Sequence, residues 1–112
     1  MDFQTPDSII LELKTIRSES AKGVEALFEA ERELAEAELA YDTAHSKALL
    51  ANQGTALDRQ ALASLSAADA RFERDLARAR VSRIKTKLKV LSEQQMSVQT
   101  QARMVELTWR TS

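Results

Sequence analysis

The stretch ALLANQGTALDRQ, residues 48–60, decides the fold. It holds the only decisive break in a chain otherwise patterned for helix: Asn52 and Gln53 lead into Gly54, which can take the left-handed conformation that ends a helix. Thr55 and Asp58 then form a shorter-armed capping box that starts the next one. Upstream, apolar or small residues recur three and four apart through Ile9, Leu13, Ile16, Ser20, Gly23, Leu27, Ala30, Leu34, Ala37, Tyr41, Ala44 and Ala48. Downstream the same spacing runs through Val81, Ile84, Leu88, Leu91, Gln95, Val98, Ala102, Val105 and Trp109. A 3.5-residue period marks helices that wind around one another. The predicted architecture is all-α, a single domain over residues 1–112 with a helix at 6–52, a turn at 53–55 and a helix at 56–108. So short a link folds the arms back as an antiparallel two-helix hairpin, a coiled coil.

Finer features follow from the same pattern. Thr5, Pro6 and Asp7 supply a capping hydroxyl, a proline whose missing N–H costs nothing, and a carboxylate at the positive end of the first helix. Gly23 is the one weak point inside that helix, but the period is unbroken across it. Just after the turn Leu65, Ala68, Phe72 and Leu76 are read as the seam, which is dominated near the turn by alanine, Ala61 and Ala68 facing Ala37, Ala44 and Ala48, with Tyr41 and Phe72 as its larger members. The seam's shift by fours toward Ile84 and Leu88 reads as a stutter.

Ile10, Phe28, Leu39, Leu49, Val90, Met96, Met104 and Leu107 fall outside a two-position seam. A stripe wider than one partner can cover predicts a homodimer of two hairpins, a four-helix bundle. The expected partner contacts are Ile9, Leu13, Ile16, Phe28, Val98, Val105 and Trp109.

Charge is segregated while nearly cancelling, at a net −1. Glu25, Glu29, Glu31, Glu33, Glu36, Glu38 and Asp42 crowd the first arm; Arg71, Arg74, Arg78, Arg80, Arg83, Lys85, Lys87 and Lys89 crowd the second. Folding about Gly54 sets the two against each other, with Glu33 and Arg78 both flanking the seam, so the plain reading is pairing within the hairpin. A sharper reading takes Arg80, Arg83, Lys85, Lys87 and Lys89 as a phosphate-binding surface. The neighbouring acids and the lack of interleaved aromatics weigh against it. A third takes Glu29, Glu33, Glu36 and Asp42 as an acidic face that mimics nucleic-acid phosphates and inhibits a host defence complex.

Chemistry-bearing motifs are sparse. The absence of cysteine excludes a disulfide framework and a thiolate nucleophile. The sole histidine, His45, follows Asp42 and Glu38 at helical spacing, an incomplete metal set that reads as an ordinary flank residue. Neither a glycine-rich phosphate loop nor a serine with a nearby base is present. The expectation is therefore a non-enzyme with no cofactor, no metal and no small-molecule substrate. The N-terminus has no signal-peptide pattern and no segment is apolar enough to span a bilayer, so a cytoplasmic location is expected.

Residues 41–101 resemble small helical proteins encoded by tailed bacteriophages, often near recombination or single-strand annealing genes. Tyr41, Ala44, Lys47 and Ala48, then Gly54 and Thr55, then Arg59, Ala61 and Ala63 carry the resemblance, with Asp58 and Gln60 where the phage pattern has glutamates. The resemblance implies an accessory, non-catalytic role in DNA metabolism inside the host cytoplasm, exercised through a protein partner such as a recombination or replication factor.

Overall fold

A computed structural model describes residues 5–111. They form three helices and no strand: α1 (Pro6–Ala51), α2 (Ala56–Ser66) and α3 (Ala68–Thr111). α1 opens on a reciprocal cap in which the Ser8 N–H donates to Thr5 Oγ1 at 3.1 Å and the Thr5 N–H donates to Ser8 Oγ at 3.0 Å. It then runs unbroken through Gly23.

The turn is closed by several independent bonds. The Asn52 N–H and its side-chain Nδ2 both donate to the Ala48 carbonyl, at 3.2 and 2.7 Å. Gly54 sits at φ +121°, a backbone state that disfavours any residue with a Cβ. The Asp58 N–H donates to Thr55 Oγ1 at 3.2 Å, capping α2 as the sequence suggests. Arg59 adds a clamp, its Nε and Nη2 donating to the Leu49 carbonyl at 3.2 and 3.0 Å. No basic residue lies in the last turn of α1, so the Arg59 guanidinium is the cation placed at the negative end of that helix.

Two expectations need correction here. The return arm is two helices rather than one, divided at Ala67, where φ −96° and ψ 8° leave the helical range. Hydrogen bonding carries across the division, since the Ala67 N–H reaches the Ala63 carbonyl at 3.0 Å and the Ala67 carbonyl receives the Arg71 N–H at 2.9 Å.

The second correction concerns the seam after the turn. Leu65, Phe72 and Leu76 are exposed, as is Ala61, Ala68 of the expected set is half-buried, and the covered run is Ala63, Ala67, Ala70, Arg74, Ala77 and Val81. These are spaced 4-3-4-3-4 and continue in phase into Ile84, Leu88 and Leu91, so the helical period holds without a stutter. Alanine wins the seam because a bare Cβ admits close helix approach, and α1 answers with Ala30, Ala37, Ala44 and Ala48, all buried or half-buried. Every expected seam position of α1 is covered.

The chain divides into two compact units. The turn unit is Leu27–Arg83; the terminal unit comprises, of the described residues, 5–26 and 84–111. Within the turn unit α1 lies antiparallel to the return arm, cross-linked by Glu33 to Arg80 at 2.8 Å and Glu38 to Arg78 at 3.6 Å. Within the terminal unit Ile9, Ile16 and Val98 make a buried cluster against which Leu13, Ala102 and Val105 pack. Gly23 lies close against Leu88: a Cβ there would stand 2.6 Å from Leu88 Cδ2.

Candidate interaction surfaces

In the turn unit, α2 and α3 are apolar on two opposite sides. The inner side is the alanine seam, where Ala63 and Ala67 are 0% exposed. Two residues on from Ala63 and Ala70, about 200° round a helix of 3.6 residues per turn, stand Leu65 and Phe72. They are 74% and 61% exposed, and Leu76 and Leu62 extend the same outer stripe. A helix apolar on two opposite sides has more apolar surface than its one covered side accounts for.

The terminal unit has its own apolar surface. Ile9, Ile10, Leu13, Ala102, Val105 and Trp109 line an open groove of about 430 Å³, with Glu106 and Arg110 at its rim. Glu106 and Arg110 pair with each other along α3 at 2.6 Å.

The residues expected to touch a partner are split by this arrangement. Ile9, Leu13, Ile16, Val98 and Val105 pack on one another inside the terminal unit, so their main contacts are within the chain. Phe28 and Trp109 face outward, at 68% and 64% exposure. The outer stripe was visible in the sequence as apolar residues at helical spacing, and that spacing, taken as the inward seam, placed it on the wrong side.

Charges divide similarly. On the acidic face, Arg32 takes Glu29 at 2.7 Å and Glu36 at 3.5 Å along α1, and Glu33 takes Arg80 across the unit. The hydrogen bond that Arg32 donates to Glu29, followed by the charges of Glu29 and Glu36, raises the Arg32 guanidinium above its ordinary pKa. Three of the four candidate acids are thus engaged with arginines, and the fourth, Asp42, is exposed. Glu33 pairs with Arg80 rather than with Arg78, which takes Glu38 instead.

Arg74 occupies a seam position that sequence reading gives to an apolar residue. Its guanidinium carbon lies 4.3 Å from the centre of the Tyr41 ring and its Nη2 is 3.2 Å from Asp75 Oδ1. The cation stacked on the ring keeps its stem in the seam while the head reaches a carboxylate. Tyr41 also meets His45, ring centroids 5.7 Å apart. Among the described residues no group of three His, Cys, Asp or Glu is placed to hold a metal ion.

Of the expected basic set, Arg80 is engaged by Glu33, while Arg83, Lys85, Lys87 and Lys89 are exposed or at the seam's flank. Lys22 of α1, which the sequence did not single out, lines one groove with Lys87 in the terminal unit. No helix among the described residues is long and apolar enough to cross a membrane. Comparison with protein families, curated proteins and solved structures finds no match for this chain.

Proposed function

We propose that this chain is a non-enzymatic helical interaction protein in which the antiparallel arms form a hairpin and two copies meet through the outer stripe of α2 and α3 as a four-helix bundle. One observation carries the reading: Leu62, Leu65, Phe72 and Leu76 lie outward on helices whose opposite side is already covered. Burying their exposed fractions contributes roughly 3 to 7 kcal/mol per copy, at about 1.5 to 3 kcal/mol for each fully buried side chain. Asp69 stands inside the stripe at the 65-69-72-76 spacing, with Glu73 at one edge and Arg71 and Arg78 beyond the other, so a partner helix has to set a base against Asp69. Phe28, exposed on α1, is offered to a further protein, and the phage resemblance points to a recombination or replication factor in that role.

Sedimentation equilibrium of the purified chain tests this directly. The expected result is a dimer that dissociates on dilution, and a monomer with unchanged helical circular dichroism for Leu65→Glu/Phe72→Glu. A wild-type chain that stays monomeric at the highest soluble concentration, or a dimer indifferent to both substitutions, refutes the proposed contact.

A further inference from the structure

Between Asp75 and Glu93 the sequence has no carboxylate, and in that interval stand Arg78, Arg80, Arg83, Lys85, Lys87 and Lys89. In the turn unit α1 answers the first two, with Glu38 on Arg78 and Glu33 on Arg80. That matching ends at Arg83, which is exposed and makes no ion pair among the described residues, and it does not resume in the terminal unit. Lys85, Lys87 and Lys89 are exposed and make no ion pair among the described residues.

The fold adds a fourth cation from the other helix. Gly23 admits Leu88 close to the α1 backbone, and the neighbouring Lys22 and Lys87 line one groove of about 240 Å³ with Glu19, Ala26 and Ile84. Glu19 is the one carboxylate lining that groove. By helix periodicity Lys85 and Lys89 sit one turn apart on one flank of α3, and Lys87 sits on the other. Their flexible stems reach the outward side of the helix from both edges, where Thr86 and Val90 lie between them.

We infer that Lys22, Lys85, Lys87 and Lys89 form a binding surface for the phosphate backbone of duplex nucleic acid. Two of the four ammonium groups, Lys22 and Lys87, face the groove with Glu19, and the other two stand on the opposite flank with Glu93 one turn from Lys89. With Glu25 one turn from Lys22 counted as well, four cations against three carboxylates leave an excess of positive charge that a polyanion neutralises with release of its condensed counterions. No aromatic residue lines the groove, so stacking on unpaired bases contributes nothing and single strands gain no advantage. The higher linear charge density of a duplex then decides the preference. Recognition is indifferent to base sequence, because every contact is to phosphate. A membrane surface is the less favoured polyanion, since Val90 is the one large apolar side chain between the lysine flanks.

Fluorescence anisotropy tests the inference with a labelled duplex of about two helical turns, roughly 20 base pairs, a single strand of equal length, and vesicles containing anionic lipid. Neutralising about four phosphates gives a log–log salt slope near −3.6, so duplex affinity falls about 150-fold between roughly 50 and 200 mM salt. Lys85→Glu/Lys87→Glu/Lys89→Glu should abolish binding with helicity and oligomeric state unchanged. Lys85→Arg/Lys87→Arg/Lys89→Arg should retain it, and Lys47→Glu, a reversal in the turn unit, should leave it intact. The inference is overturned if duplex is not bound at low salt, if the triple reversal binds as well as wild type, or if single strands or vesicles bind more tightly than duplex. Because the outer stripe is untouched by these substitutions, a monomeric wild type that still binds duplex would sink the proposed dimer and leave this surface standing.

Discussion

Exchanging large and small residues across one turn of α2 separates the alanine seam from the outer stripe. Ala63 is 0% exposed, and Ala63→Leu inserts three carbon atoms where the helices leave no room. Overpacking of this kind costs about 1 to 3 kcal/mol. Leu65 is 74% exposed, so Leu65→Ala forfeits only the covered quarter of a burial worth about 1.5 to 3 kcal/mol, or roughly 0.4 to 0.8 kcal/mol. Alanine's better helix propensity returns about 0.2 kcal/mol of that. Were Leu65 in the seam, the same truncation would cost about 2 to 5 kcal/mol. Urea denaturation followed by circular dichroism, at the lowest workable concentration, measures both values. Repeating it at higher concentration isolates the part of Leu65's contribution that depends on association, because only a dimer's stability grows with concentration. A loss above about 2 kcal/mol for Leu65→Ala in the dilute limit, beside a silent Ala63→Leu, would place the large residues inward and refute the seam assignment.

Three further substitutions probe the turn and the close approach of the helices. Arg59→Met removes two charge-assisted bonds to the Leu49 carbonyl and should lower unfolding free energy by about 1.5 to 3 kcal/mol, read by urea titration, with Arg59→Lys recovering part of it. Gly54→Ala places a Cβ at φ +121° and should cost at least about 1 kcal/mol, seen as a lower thermal midpoint with the helical content of the folded baseline unchanged. Gly23→Val drives a branched side chain toward Leu88 and should cost about 1 to 3 kcal/mol; adding Leu88→Ala should restore part of the loss, and strict additivity of the two would show that they do not meet.

The course of α1 and the place of the turn were legible because three independent signals agreed there. The 3.5-residue period fixed the inward face, Thr5 and Thr55 marked helix starts, and Gly54 marked the stop between them. After the turn only the period remained as a guide, and two periodic sets competed for it. Ala63, Ala67, Ala70 and Ala77 on one side and Leu65, Ala68, Phe72 and Leu76 on the other both fall at helical spacing, and local spacing alone does not separate them. The structure selects the first because its phase runs on without interruption into Val81, Ile84 and Leu88, whereas the second set must slip to join them.

Charge matching shows a related limit. Acidic and basic arms could be set against each other from the sequence, but which acid meets which base depends on the exact axial offset of the helices. Glu33 reaches Arg80 two residues beyond the expected Arg78, and that offset is set by seam packing rather than by charge. Exposed pairs of this sort contribute about 0 to 1 kcal/mol and so follow the register more than they impose it. The same offset determines where the acids of α1 stop answering the bases of α3. Arg78 and Arg80 are matched while Lys85, Lys87 and Lys89 are not, and a basic run that looks continuous in the sequence becomes a structural half and an unsatisfied half. Only the unsatisfied half retains charge to offer a ligand, so reversal at Arg80 should act on the stability of the turn unit and reversal at Lys87 on polyanion binding. Equal loss of duplex binding from Arg80→Glu and Lys87→Glu, with stability unaffected in both, would erase that division.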